Sequence, residues 1–183
     1  AANNMLEYKS PSFSGMSFTA TYNQADTTNV VNSQTAYAIA YSPEMFDGLT
    51  VGYATQEDDS TGVASSEADD TTMYAKYVYG SVTVGYQSSE SDNGTASNDL
   101  ESTGMAVSYA ISDEMSISYG EHSVEWPNDA TKNDQDSSAV SASYVSGGMT
   151  VSASFGSVDN LNGNTATAND LDCLLYTSPS PRD

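Results

Sequence analysis

The chain has 183 residues, with 25 Asp and Glu against 4 Lys and Arg, a formal charge of −21. Such a surface repels a phosphate backbone, which excludes nucleic acid as a partner. Only 38% of the residues are hydrophobic and no helix-length apolar run occurs, so a transmembrane helix is excluded. A transmembrane β-barrel is not, because its strands alternate polar and apolar residues. No basic and apolar leader opens the chain and it does not begin with Met, so a mature protein or an internal fragment is expected.

In chain order, Leu6 and Tyr8 mark a short first strand, and a repeat begins at Met16. The segments starting at Met16, Leu49, Val82, Met115 and Met149 align at a spacing of 33, 33, 33 and 34 residues. A fixed period sets the architecture before anything else does. Each segment alternates with period two, which predicts a strand. Met16, Phe18, Ala20 and Tyr22 share one face; Ser17, Thr19 and Thr21 share the other. Val82, Val84 and Tyr86 oppose Thr83, Gly85 and Gln87; Met115, Ile117 and Tyr119 oppose Ser116, Ser118 and Gly120. Met149, Val151, Ala153 and Phe155 oppose Thr150, Ser152 and Ser154. A second strand precedes each later segment, over 35–41, 73–79, 105–111 and 140–144. Short turns join the two, at 11–15, 42–48, Gly80, 112–114 and Gly147-Gly148, where Gly, Pro, Asp and Ser supply the backbone angles. Long loops are expected at roughly 23–34, 57–70, 88–101, 121–137 and 157–170. Short turns on one side and long loops on the other predict an all-β, antiparallel up-and-down transmembrane barrel of about ten strands and the start of an eleventh.

Tyr22, Tyr53, Tyr86, Tyr119 and Phe155 fall at one end of their strands. Tyr41, Tyr79, Tyr109 and Tyr144 fall at the other. Two rows of amphipathic rings would make the two aromatic girdles of a barrel; ordinary strand propensity also enriches Tyr. Most acids fall in the expected long loops, densest at Glu57, Asp58, Asp59, Glu67, Asp69 and Asp70. They keep loops solvated, and as a negative rim they would gather cations at a pore mouth. The oxygen-rich stretches Asp159-Asn160-Leu161-Asn162-Gly163-Asn164 and Asp92-Asn93-Gly94 lack EF-hand spacing. No metal site and no cofactor is expected, beyond diffuse divalent cations bridging acidic loops to anionic lipid head groups.

The opening, Asn3-Asn4-Met5-Leu6-Glu7-Tyr8-Lys9-Ser10-Pro11-Ser12-Phe13-Ser14-Gly15-Met16, resembles the Gram-negative general porins, in which a strand ending Tyr-basic-Ser-Pro-x-Phe-x-Gly follows the constriction loop. The resemblance implies a trimeric 16-stranded barrel in the outer membrane. It also implies contact with lipid and lipopolysaccharide, and passive diffusion of small hydrophilic solutes. It places the front third of the barrel before Ala1 and the final strand after Asp172. It also puts Lys9 on the barrel wall facing the constriction loop. Alternation turns Glu7 and Lys9 away from Leu6 and Tyr8, and Lys76 away from Met73 and Tyr77. The expected pore-lining set is Glu7, Lys9, Ser17, Thr19, Lys76, Thr83, Ser116, Ser118, Thr150 and Ser152. With an acidic rim, a cation preference follows.

Enzymatic chemistry finds little support. His122 is the only histidine, beside Glu121, Ser123 and Glu125, with no nucleophile-turn motif and no second imidazole for a metal. Trp126-Pro127 reads as a surface anchor or plug element. The competing reading is a secreted, acidic, β-rich adhesin or surface-layer module, whose strands would form a soluble sandwich or solenoid. Tight reversals such as Gly147-Gly148 and the regular alternation of loop lengths favour the barrel. Residues 173–183 differ from the rest: they hold the only Cys and the only Arg. They resemble the translated read-through of a transposase adapter used in sequencing libraries. Residues 1–172 are therefore expected to be the porin-like domain, and 173–183 a non-native tail.

Overall fold

The computed structural model describes residues 5–24, 33–59, 68–93, 99–146, 148–164 and 170–179. They form one 11-stranded sheet in which every strand pairs with its neighbour in sequence. The strands are β1 (Met5–Lys9), β2 (Met16–Asn23), β3 (Ser33–Tyr41), β4 (Leu49–Asp59), β5 (Ala68–Tyr79) and β6 (Val82–Asp92). β7 (Leu100–Ala110), β8 (Met115–Glu125), β9 (Gln135–Ser146), β10 (Met149–Asp159) and β11 (Asp170–Pro179) complete it. All pairings are antiparallel. The strand starts at 16, 49, 82, 115 and 149 coincide with the repeat.

The turns at one edge are tight for a local reason. Gly15 (φ +78°) and Gly48 (φ +85°) sit in the left-handed region, which L side chains rarely adopt. A Cβ there would also meet the carbonyl oxygen of Ser42 at 2.0 Å or of Val78 at 2.1 Å. Those glycine carbonyls accept from Ser42 N–H (2.8 Å) and Val78 N–H (3.0 Å), which carries each turn into the next strand.

The opposite edge differs from expectation. The strands run on for several residues into what composition marks as loops. Glu57, Asp58 and Asp59 end β4, and Asp69 and Asp70 begin β5; Glu67 lies outside the described residues. Glu90, Asp92, Glu101, Glu121, Glu125, Asp136 and Asp159 are likewise on strands. The physical reason is that backbone ladders continue past the apolar band. Beyond it both faces are wet, so alternation disappears while pairing persists. β11 is a second difference. Residues 173–179, expected to lie outside the fold, pair in register with β10, from Phe155↔Cys173 to Met149↔Pro179. The N–H and C=O groups of β10 facing away from β9 accept any extended chain.

No described hydrophobic residue is buried. The large apolar side chains instead cover one face and stay open: Leu6 71%, Tyr53 50%, Met105 57%, Ile117 42% and Phe155 52% exposed. The Ser/Thr face is the less exposed of the two, as β2 shows with Ser17, Thr19 and Thr21 half-buried between open Met16, Phe18 and Tyr22. The sheet therefore curls with its hydroxyls on the concave side and its apolar residues on the convex side.

Candidate functional site: two faces of one sheet

The register arranges the concave face in rows. Thr83, Ser108, Ser118, Ser141 and Ser154 stand directly opposite one another across β6 to β10. Ser141 Oγ donates to Ser154 Oγ at 3.1 Å, and Ser152 Oγ to Ser143 Oγ at 3.3 Å. The next row is Lys76, Gly85, Ala106, Gly120, Ala139 and Gly156. With nothing larger than a methyl on five adjacent strands, this row is the floor of a hollow of about 850 Å³. Above it run Tyr74, Gln87, Gly104, His122 and Ser137. A second hollow of about 550 Å³ shares Gln87 and His122 with the first. Gln87 Nε2 donates to Thr72 Oγ1 (3.4 Å) and Ser89 Oγ (3.3 Å), and those two hydroxyls lie 2.7 Å apart.

The sequence-expected inward residues take these places. Glu7 and Lys9 share rows with Thr21 and Thr19, and Lys9 Nζ lies 3.3 Å from Glu7 Oε1. Ser17 opposes Ala40, Ser116 opposes Ser143, and Lys76 stands between Thr50 and Gly85. Thr150 and Ser152 oppose Val145 and Ser143. Sequence reading missed Tyr74 as an inward residue, placed Gln87 on the polar face with Thr83 without naming it among the pore-lining residues, and put His122 in the expected loop 121–137. Phase with Lys76 was the signal for Tyr74. His122 is on β8, in phase with Ser118 and Gly120.

On the convex face, Tyr22, Tyr53, Tyr86, Tyr119 and Phe155 close the apolar stretch of β2, β4, β6, β8 and β10. Tyr41, Tyr79, Tyr109 and Tyr144 stand near the short turns. Beyond Tyr53, Tyr86 and Phe155 come Thr55, Ser88 and Ser157, then carboxylates, while in β8 Glu121 follows Tyr119 directly. Glu57, Asp69 and Asp92 stand in adjacent register, as do Glu90, Glu101 and Glu125, and Asp136 faces Asp159. Only Asp58 and Asp70 of the expected rim have concave positions. Asp58 accepts from Gln34 Nε2 and Gln56 Nε2, each at 3.2 Å.

Three connections on the carboxylate edge are tied together. Asn128 Nδ2 donates to Asp99 Oδ2 (2.9 Å), Asn133 N–H to the Gly163 carbonyl (3.1 Å), and Asn162 N–H to Gln135 Oε1 (2.8 Å). The Lys132 ammonium sits 4.5 Å above the Trp126 ring, so Trp126 is an anchor within its own loop. Asp129 accepts from the Thr131 hydroxyl (2.6 Å) and N–H (3.0 Å). Those bonds, the hydroxyl first, hold its carboxyl below the usual range, with Lys132 adding to the effect. Among the described residues no cluster of His, Cys, Asp and Glu is arranged to hold a metal ion.

Comparison with solved structures gives the same architecture. A porin refined at 1.8 Å superposes with a TM-score of 0.75 at 17% identity, covering 94% of this chain and 60% of its own. An anion-selective porin from Comamonas acidovorans gives 0.68 at 17%, covering 98% and 55%. A loop-L8-deleted OmpT of Vibrio cholerae, an outer-membrane protein, gives 0.64 at 20%, covering 95% and 62%. The chain thus spans about 60% of the length of the first of these porins. No curated protein matches it. The family profile of Gram-negative porins matches residues 1–172. With an apolar convex face, a hydroxyl-lined concave face and this match, the chain belongs to the Gram-negative porin family, a β-barrel family of the outer membrane.

Proposed function

We propose that the chain is part of the wall of a water-filled pore that passes small hydrophilic solutes and ions by diffusion, with cations preferred. The observation that supports this is the two-faced sheet. Its apolar face is open among the described residues and suits lipid, while its hydroxyl face suits water. A secreted adhesin or surface-layer module would have to leave that apolar face in solvent, against the tendency of soluble surfaces.

Selectivity follows from inward charge rather than from fold, since the Comamonas porin of the same fold is anion-selective. On the described concave positions Glu7 and Lys9 pair, leaving Asp58 and Asp70 against Lys76. The balance is a modest negative excess, which favours cations. The convex carboxylates have a different role. Like charges directly opposite one another repel, and the girdle below them sets their height near the head groups. Diffuse divalent cations bridging them to lipopolysaccharide relieve that repulsion. A homotrimer rests on the family alone. Residues 173–183 we assign to a non-native tail: in register, Leu174 and Tyr176 pair with Ser154 and Ser152, whose other partners across β9 are Ser141 and Ser143.

The test is the zero-current potential of the full-length porin in a planar bilayer under a KCl gradient. Stepwise conductance with a cation-selective potential is expected. An anion-selective potential keeps the pore and removes the charge argument; a correctly folded protein that gives no channels removes the pore.

A further inference from the structure

Among the described side chains, the concave wall carries one large ring whose position depends on a neighbouring strand. Tyr74 lies in β5, in phase with Thr72 and Lys76, so its side chain leaves the sheet on the concave face. It does not stand upright. A Cβ built on Gly52, its register partner in β4, would lie 2.2 Å from Tyr74 Cε1, 2.6 Å from Cζ and 2.9 Å from the hydroxyl oxygen. The ring is folded over the β4 backbone at the one point where β4 has no side chain. Its surroundings are equally low: Ala54 in β4, and Ala38 and Ala40 in β3, are the concave positions on that side. The other concave ring differs. A Cβ on Gly104 would meet His122 Cδ2 at 3.5 Å, an ordinary contact. Glycine inside a strand marks close approach by another group, and an aromatic laid across a strand glycine restores the contact that glycine lacks.

We infer that Tyr74 sets the free bore along this part of the wall, and that Gly52 is the positioning residue that keeps its ring folded against the sheet. With any side chain at 52, the ring must rotate about χ1 toward the axis, narrowing the path and presenting a phenol hydroxyl to solutes beside the Lys76 ammonium. This rests on reading the concave face as a pore wall, and it adds the residue pair that governs the size of solute admitted there.

The experiment is single-channel conductance of the full-length porin as wild type, Gly52→Ala, Tyr74→Ala, the double variant and Gly104→Ala. Gly52→Ala is expected to lower conductance by about 1.5-fold, because conduction follows pore diameter. Tyr74→Ala raises it, the double variant follows Tyr74→Ala, and Gly104→Ala, whose added methyl meets His122 only at an ordinary distance, lowers it less than Gly52→Ala does. A Gly52→Ala channel of unchanged conductance, or a fall that persists in the double variant, overturns the inference. Should Gly52→Ala fail to assemble, Tyr74→Phe and Tyr74→Ala decide: Phe must keep wild-type conductance and Ala must exceed it, and equal values overturn it. Absence of channels in the wild type is a separate result, against the pore itself.

Discussion

The convex and concave faces are built from the same strands, often from adjacent residues, yet they follow different rules along their length. Going away from the short turns, the convex face passes from apolar residues to hydroxyls and carboxylates. The concave face has hydroxyls, glycines and alanines over the same distance, and few charges. In β8 the convex series is Met115, Ile117, Tyr119, Glu121, Ser123, Glu125; the concave one is Ser116, Ser118, Gly120, His122, Val124. On the pore-wall reading proposed above, the solvent on one side changes with height while that on the other does not. Lipid, then head groups, then water explains the first series; water throughout explains the second. It also relocates the negative charge of the chain. Among the described residues most strand-borne carboxylates take convex positions.

The strongest break of this comparison is one cation moved by one residue. Ile117→Lys puts a charge in the lipid band and should cost about 2–4 kcal/mol, read as a lowered urea midpoint in vesicles. Ser118→Lys should leave that midpoint nearly unchanged and shift the zero-current potential toward anions. Equal destabilisation by both would erase the distinction between the faces.

Charge changes within the concave face come next. Lys76→Glu should raise the cation-to-anion permeability ratio several-fold, and Asp70→Asn should lower it, by the same field argument. Replacing convex Glu90, Glu101 and Glu125 by Gln should leave the ratio as it is. A ratio governed by the convex triad would restore the rim account that composition suggests.

The same triad sharpens the comparison through stability. Directly opposed like charges are destabilising, so chelation should lower the melting temperature of the wild type in lipopolysaccharide-containing vesicles. The Glu90, Glu101 and Glu125 to Gln variant, which keeps the other convex carboxylates, should be less sensitive to the chelator. Equal sensitivity in both would assign the divalent effect elsewhere.

The smallest effect lies outside the membrane, at Asp129. Its carboxyl is held low by the Thr131 hydroxyl, so its contribution to the turn is present above the ordinary carboxylate range. That contribution is lost as pH falls through the lowered value. Thr131→Val should move the midpoint of the Trp126 fluorescence change back up toward the usual range. An unchanged midpoint would detach the turn from this hydrogen bond.

The hairpins were legible in the sequence because lipid on one side and water on the other force alternation. The repeat starting at Met16, Leu49, Val82, Met115 and Met149 is that alternation read directly. The strand ends beyond Tyr53, Tyr86 and Tyr119 were not legible. Both faces are wet there, and Glu57-Asp58-Asp59 carries no sign of which side each carboxylate takes. Register supplies it: Glu57 pairs with convex Asp69, and Asp58 with concave Ala68. Tyr74 was hidden for another reason. An aromatic residue in a barrel strand reads as a lipid anchor, and only its phase against Lys76 and the gap at Gly52 turn it inward.

The central claim is that alternate residues of one strand meet alternate solvents. Single cysteines at Ser116, Ile117, Ser118 and Tyr119 in the full-length porin test it most directly. Each variant in lipid vesicles is exposed to a charged, membrane-impermeant thiol reagent. The account predicts fast labelling at 116 and 118 and protection at 117 and 119. Uniform labelling of all four would contradict it, because a strand wet on both faces cannot be part of a pore wall.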